Sequence, residues 1–329
     1  MQSSKDEATE VPLASLREII RRSMDNAAQV AEYEGFWSPT AARAPFAAEP
    51  PAAESVELTG IATGFRDVDA LLGGLQSGQL TVLAGAGSSG LSTFVQNVAR
   101  KVGRAEADAG GRAVIFVSFG ASQAQVAHRM LCAEARVDPH ALSQGRLRGP
   151  EEWERLTQAA ERLSRAPVFV TDDRGMGPAE LQERCAHLAA TMGLGLVVVD
   201  PLETLGVSPE GRRRALRHIV PALKETAEHF AVPVLATHTR EVVPTGVASL
   251  PASVQLHADI LALLHRPDVW FPVGRDDQDY YEAQKGLEIV DFVVVGGSGA
   301  AGGRTGTARL GFYTRLARFD DIRWEPEGE

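Results

Sequence analysis

From Gly60 onward, short apolar runs alternate with segments whose apolar residues recur every three or four positions. The runs are Leu80–Ala84, Ala113–Val117, Val168–Thr171, Leu196–Val199 and Val232–Ala236. They are rich in leucine and β-branched residues and show little polar alternation, which predicts strands buried on both faces. Between several of them, Ser92–Val102, Gln123–Ala135, Pro150–Arg165, Pro178–Met192 and Arg214–Phe230 carry helical spacing. This order predicts an α/β fold: a mainly parallel central sheet with helices on both faces. Two later runs, Leu287–Val295 and Thr307–Tyr313, flank a glycine-rich stretch and predict a C-terminal β-hairpin.

The start of the chain differs. Residues 1–12 are polar and are expected to be a disordered tail. Residues 13–35 place Leu16, Ile19, Ile20, Met24, Ala27 and Val30 at helical spacing, with Ser15 as a candidate N-cap. An isolated helix with one apolar stripe must dock on something. Residues 36–57 are rich in alanine and proline and read as a semi-extended linker, leaving 58–329 as the folded domain.

Composition narrows the options. The 329 residues carry a net charge of −10, so only a local basic cluster points to nucleic acid. Cys132 and Cys185, the only cysteines, lie far apart without metal-ligand spacing, and buried free thiols are expected. Neither a secretory leader nor a run of 18 apolar residues occurs, so a cytoplasmic chain with no membrane partner is expected.

The candidate chemistry lies just after the first strand. Gly85-Ala-Gly87-Ser88-Ser89-Gly90-Leu91-Ser92-Thr93 matches a phosphate-binding loop, except that Leu91 occupies the lysine position. Its glycines would let backbone N–H groups and a helix N-terminus face an anion. Leucine supplies no charge for the β/γ-phosphates.

The order of segments resembles the C-terminal, RecA-like ATPase domain of DnaB-type replicative helicases. The resemblance is carried by Gly60-Ile-Ala-Thr-Gly-Phe-Arg-Asp-Val-Asp69, Gly73-Gly-Leu-Gln-Ser-Gly78, Arg129-Met-Leu131, Glu134-Ala-Arg-Val-Asp138 and Gly303-Arg-Thr-Gly-Thr307. It implies a RecA-like P-loop fold, ATP and Mg²⁺ as ligands, and a homo-oligomeric ring, hexameric in the family. It also makes 13–35 the linker helix that docks on a neighbouring subunit. The family's N-terminal, primase-contacting part is expected to be absent.

The resemblance also assigns positions. Gly85, Gly87, Ser88, Ser89, Gly90, Leu91, Ser92 and Thr93 would hold nucleotide, and Ser92 and Asp200 would hold Mg²⁺. The catalytic glutamate falls at Gly120, in Ser118-Phe-Gly-Ala121. A polar sensor falls at His238, and the cations contributed across the subunit boundary fall at Gly299-Ala-Ala-Gly302, with Arg304 nearby but shifted. Asp200 and His238 are therefore remnants, and no residue is assigned as catalytic. Losing lysine, acid and trans cations together removes groups that serve one transition state. Arg212, Arg213, Arg214 and Arg217 are the candidate contacts to single-stranded DNA, whereas Glu241–Ser253 has no basic residue and neither loop an aromatic one.

The expected function is thus a degenerate relative that binds nucleotide, DNA, itself or an active replicative helicase without hydrolysis. Two other readings stand beside it: an active ATP-dependent helicase with an unorthodox loop, and a regulatory scaffold unrelated to DNA.

Overall fold

The computed structural model describes residues 14–22, 58–147, 149–206, 212–239, 250–266, 287–297 and 305–322, without the side chains of 212–214. The tail 1–12, the linker 36–57, the second loop through residue 249, Gly299–Gly302 and Arg304 lie outside them.

One sheet holds the described strands: β1 (Ala14–Ser15), β2 (Leu80–Gly85), β3 (Ala113–Ser118), β4 (Val168–Thr171), β5 (Leu194–Asp200), β6 (Val234–Thr239), β7 (Ile260–His265), β8 (Leu287–Gly296), β9 (Gly306–Tyr313) and β10 (Arg318–Asp321). Their order is β1-β4-β3-β5-β6-β2-β7-β8-β9-β10. Strands β4, β3, β5, β6, β2 and β7 are parallel, and β8, β9 and β10 extend the sheet antiparallel. The expected hairpin is therefore present, with a third strand, β10, beyond it.

Helices cover both faces: residues 16–22 form α1, followed by α2 (Arg66–Leu72), α3 (Leu91–Ala109), α4 (Gln123–Ala135), α5 (Pro139–Ser143), α6 (Pro150–Arg165), α7 (Pro178–Thr191), α8 (Arg212–Phe230) and α9 (Ala252–His257). Alternate residues of each central strand feed separate cores. In β3, Val114 and Phe116 pack with α3, α4 and α6, while Ile115 and Val117 pack with α7 and α8. This two-sided burial explains the near-continuous apolar runs.

Two elements depart from the pattern. Strand β7, Ile260-Leu-Ala-Leu-Leu-His265, adds to the expected runs and sits beside β2 in the middle of the sheet. At the N-terminus, Ser15 caps α1 reciprocally: its Oγ accepts from Glu18 N–H and its own N–H donates to Glu18 Oε2, both at 3.3 Å. Leu16, Ile19 and Ile20 are buried in this chain's own core, and Ala14 and Ser15 pair with Val170 and Phe169 of β4. The stripe expected to dock on a neighbour is covered, over 16–22, by its own domain.

Candidate functional site

Strands β2, β5 and β6 end together at one edge of the sheet, where ligands of doubly wound folds bind. The loop after β2 closes on itself. Ser89 donates both its N–H (3.0 Å) and its Oγ–H (2.7 Å) to the Ala86 carbonyl. Gly90 follows with φ 88°, and a Cβ there would lie 3.1 Å from Phe319 and 3.2 Å from Phe312, so only glycine fits. Helix α3 then starts at Leu91 itself, one residue earlier than its pattern suggested.

Leu91 does more than leave the lysine position neutral. Its side chain is 4% exposed and belongs to the same apolar cluster as Phe94, Phe292, Phe312 and Phe319. The loop is thus anchored from below by a hydrocarbon group.

Ser92, the next residue, donates its hydroxyl to Asp200 Oδ1 at 3.1 Å, and Thr237 donates to the same oxygen at 2.6 Å. Asp200 is buried at the end of β5, and burial pushes its carboxyl up, with the two hydroxyl donors opposing and Arg129 adding a smaller opposing field. One hydroxyl and one carboxylate at this spacing fit an oxygen-coordinated Mg²⁺ that retains most of its water.

Beyond Thr237, His238 Nδ1 lies 3.1 Å from Glu203 Oε2, and Thr239 N–H donates to Glu203 Oε1 at 3.0 Å. His238 is registered against Ala84 of β2, beside the loop. Glu203, on the 3-10 turn Leu202–Thr204, has no periodic signal in the sequence and is a residue that sequence reasoning missed. Gly120 is exposed, and a Cβ there would meet nothing within 4 Å, so no packing constraint forbids a carboxylate at that position.

A cleft of about 630 Å³ opens over the loop, lined by Gly87, Gly90–Thr93, Arg129, Asp138, His140 and Arg315, among others. Arg129 and Arg315 were also missed: nothing in a one-dimensional pattern brings α4 and the turn after β9 to the loop. The structure thus brings together Gly87, Gly90, Leu91, Ser92 and Thr93 in the cleft, with Asp200 and His238 behind it. It places Arg217 apart, exposed on α8, and the backbone of Arg212, Arg213 and Arg214 at that helix's start.

The phosphate-loop strand β2 and the buried carboxylate that ends β5 stand on either side of β6, and the family described as DnaB-like helicase C terminal domain matches residues 60–321. The chain belongs to that family. Among curated DnaB-like relatives, the replicative DNA helicase DnaB of Geobacillus stearothermophilus is 29% identical over 81% of this chain and 57% of its own length. The replicative DNA helicase DnaC of Bacillus subtilis (strain 168) is 28% identical over 81% of this chain and 57% of its own. The chain therefore spans little more than half of these relatives. A solved DnaB-like replicative helicase, described with its interactions with primase, superposes with TM-score 0.69 at 18% identity, covering 82% of this chain and 63% of that one. At that identity the likeness shows the fold.

Cys132 and Cys185 are buried free thiols, as expected, and burial pushes both upward, Cys185 to about 12. Among the described residues no helix is long and apolar enough to cross a membrane.

Proposed function

We propose that this DnaB-like chain binds ATP or ADP with Mg²⁺ and does not hydrolyse it. It acts as a ring-forming or helicase-docking partner, not as a motor. The observation that carries this reading is Leu91, buried in the core where the family places a phosphate-facing ammonium. Gly120 supports it, because no other carboxylate on that loop stands in for the acid. The Ser92–Asp200 pair supports retention of nucleotide and metal, since both groups keep their mutual geometry. A homo-oligomeric ring, hexameric by likeness, and a cytoplasmic location belong to the same proposal.

Single-stranded DNA as a second ligand is supported by Arg212, Arg213, Arg214 and Arg217 at the start of α8. Positive charge at a helix N-terminus is disfavoured by the helix dipole, so four arginines there make a local anion-attracting site.

Equilibrium binding of ATP with Mg²⁺, run beside steady-state phosphate release with and without single-stranded DNA, tests the reading. Binding without release is expected. Release stimulated by DNA and abolished by Asp200→Ala would establish the active-helicase reading instead.

A further inference from the structure

Helix α3 carries a buried polar stripe among apolar side chains. Gln96 and Arg100 are 2% and 1% exposed. Residues four apart on a helix share a face, so the two stand one turn apart on the same side. Asn97 beside them is fully engaged: its Nδ2 donates to the Thr93 and Ala317 carbonyls at 2.8 and 3.0 Å, and its Oδ1 accepts from Arg100 Nη2 at 3.1 Å. Arg100 Nη1 donates to Glu134 Oε2, while Glu134 Oε1 takes Arg104 and Arg162, each at 3.0 Å. Gln96 differs. Neither its Nε2 nor its Oε1 has a hydrogen-bond partner among the described residues, and the same holds for Arg100 Nε. Among those residues, Gln96 is the side chain with both polar atoms buried in this way.

A buried amide is costly unless both of its ends are bonded. The chemistry of the three atoms selects what can bond them. Arg100 Nε–H and Gln96 Nε2–H donate, and Gln96 Oε1 accepts. Exchanging the oxygen and nitrogen of the amide still leaves one donor and one acceptor, so the set does not depend on that assignment. An anion would accept from both donors but would face Gln96 Oε1. A metal ion or an ammonium would face the Arg100 guanidinium, which burial already pushes down to about 10, with Glu134 opposing and Arg318 assisting. Water both accepts and donates, and two to four polar partners are what an internal water requires.

We propose that Gln96 and Arg100 hold a structural water molecule inside the domain, against the buried face of α3. The water accepts from Arg100 Nε–H and from the Gln96 amide of one turn earlier, and donates to Gln96 Oε1. It extends the cluster of Arg100, Glu134, Arg104 and Arg162 one helical turn toward the phosphate loop without adding a charge. Hydrogen bonds through an internal water are nearly as strong as direct ones, so the site fixes the Gln96 rotamer and stabilises the first half of α3. The site is independent of any nucleotide and does not rest on the function proposed above.

The test compares the full wild-type chain with Gln96→Met, which keeps the length of the side chain and removes both polar atoms. Oxygen-17 relaxation dispersion, which counts long-lived internal waters, should find a water in wild type that the variant lacks. The variant's melting temperature should fall by about 2–4 °C, the loss of a net hydrogen bond in a domain of this size. The sign is decisive: an amide with no bonds in the folded protein would make methionine stabilising, because an unpaired polar group would be removed. A crystal structure of the wild-type chain gives a readout that needs no variant, with an ordered water expected within hydrogen-bond distance of the Gln96 amide and Arg100 Nε. Apolar side chains packed directly against that amide, an equal water count in both proteins, or a higher melting temperature in Gln96→Met each overturns the site.

Discussion

Replacing Leu91 with lysine probes the site and the core at once. The leucine is 4% exposed and belongs to the apolar core, so the substitution removes a buried branched side chain and puts an ammonium in its place. Truncating a buried leucine costs about 2–5 kcal/mol. Lysine's methylenes refill part of that volume while the charged end turns toward the cleft, so a net cost of about 2 kcal/mol is expected. For a domain of this size that lowers the melting temperature by about 4–8 °C. Saturating ATP with Mg²⁺ should then raise the variant's melting temperature more than the wild type's, because the ammonium reaches the phosphates. Phosphate release should stay at background, since Gly120 still offers no carboxylate. The assay is thermal unfolding with and without nucleotide, run beside phosphate release. An unchanged melting temperature would refute the burial argument. Brisk turnover in this single variant would refute the claim that the other losses matter.

Asp200→Asn should stabilise the nucleotide-free protein by about 1 kcal/mol, the usual order for relieving a functional site. The sign follows from burial raising the Asp200 carboxyl above its unfolded value. Its penalty is absent below about pH 3.9, grows as pH rises toward the folded value, and persists above it. Chemical unfolding of both proteins from pH 3 to 8 should show the gap opening with pH, and the variant should lose the stabilisation that Mg²⁺-ATP gives wild type. Glu134→Gln should cost about 3–5 kcal/mol by stranding Arg100, as expected for breaking a buried pair. Burial works to raise the Glu134 carboxyl, but Arg100, Arg104 and Arg162 outweigh it and hold it low. Its contribution is therefore present above about pH 4.3 and lost as pH falls through the lowered folded value, so the difference measured by unfolding should narrow in acid. Deleting residues 1–35 should lower the melting temperature, because Leu16, Ile19 and Ile20 belong to the domain's own core. An unchanged melting temperature would reject that packing.

The central strands were legible because burial on both faces leaves an unbroken apolar run, and the loop because its glycines have a fixed spacing. Strand β7 was not, although Ile260–Leu264 is as apolar as the others: no long helical pattern precedes it, and the short α9 gave no period to read. At the site, Ser92, Asp200 and His238 were legible from their places after strands. Glu203, Thr237, Arg129 and Arg315 were not, since each acquires its role from a contact between distant segments. The inward turn of Leu91 was also hidden. Sequence showed what the loop lacks, whereas only the burial of Leu91 in the apolar core shows what the leucine does instead.

The two-residue strand at Ala14–Ser15 has a consequence for handling the protein. It lies along the outer side of β4, whose Val168, Val170 and Thr171 are buried. A shortened chain beginning at residue 58 would leave that side's N–H and C=O groups open, an adhesive border of the kind that recruits strands from other molecules. Such a fragment should be prone to self-association through β4, and a clumped sample of it would say nothing about the assembly of the intact chain.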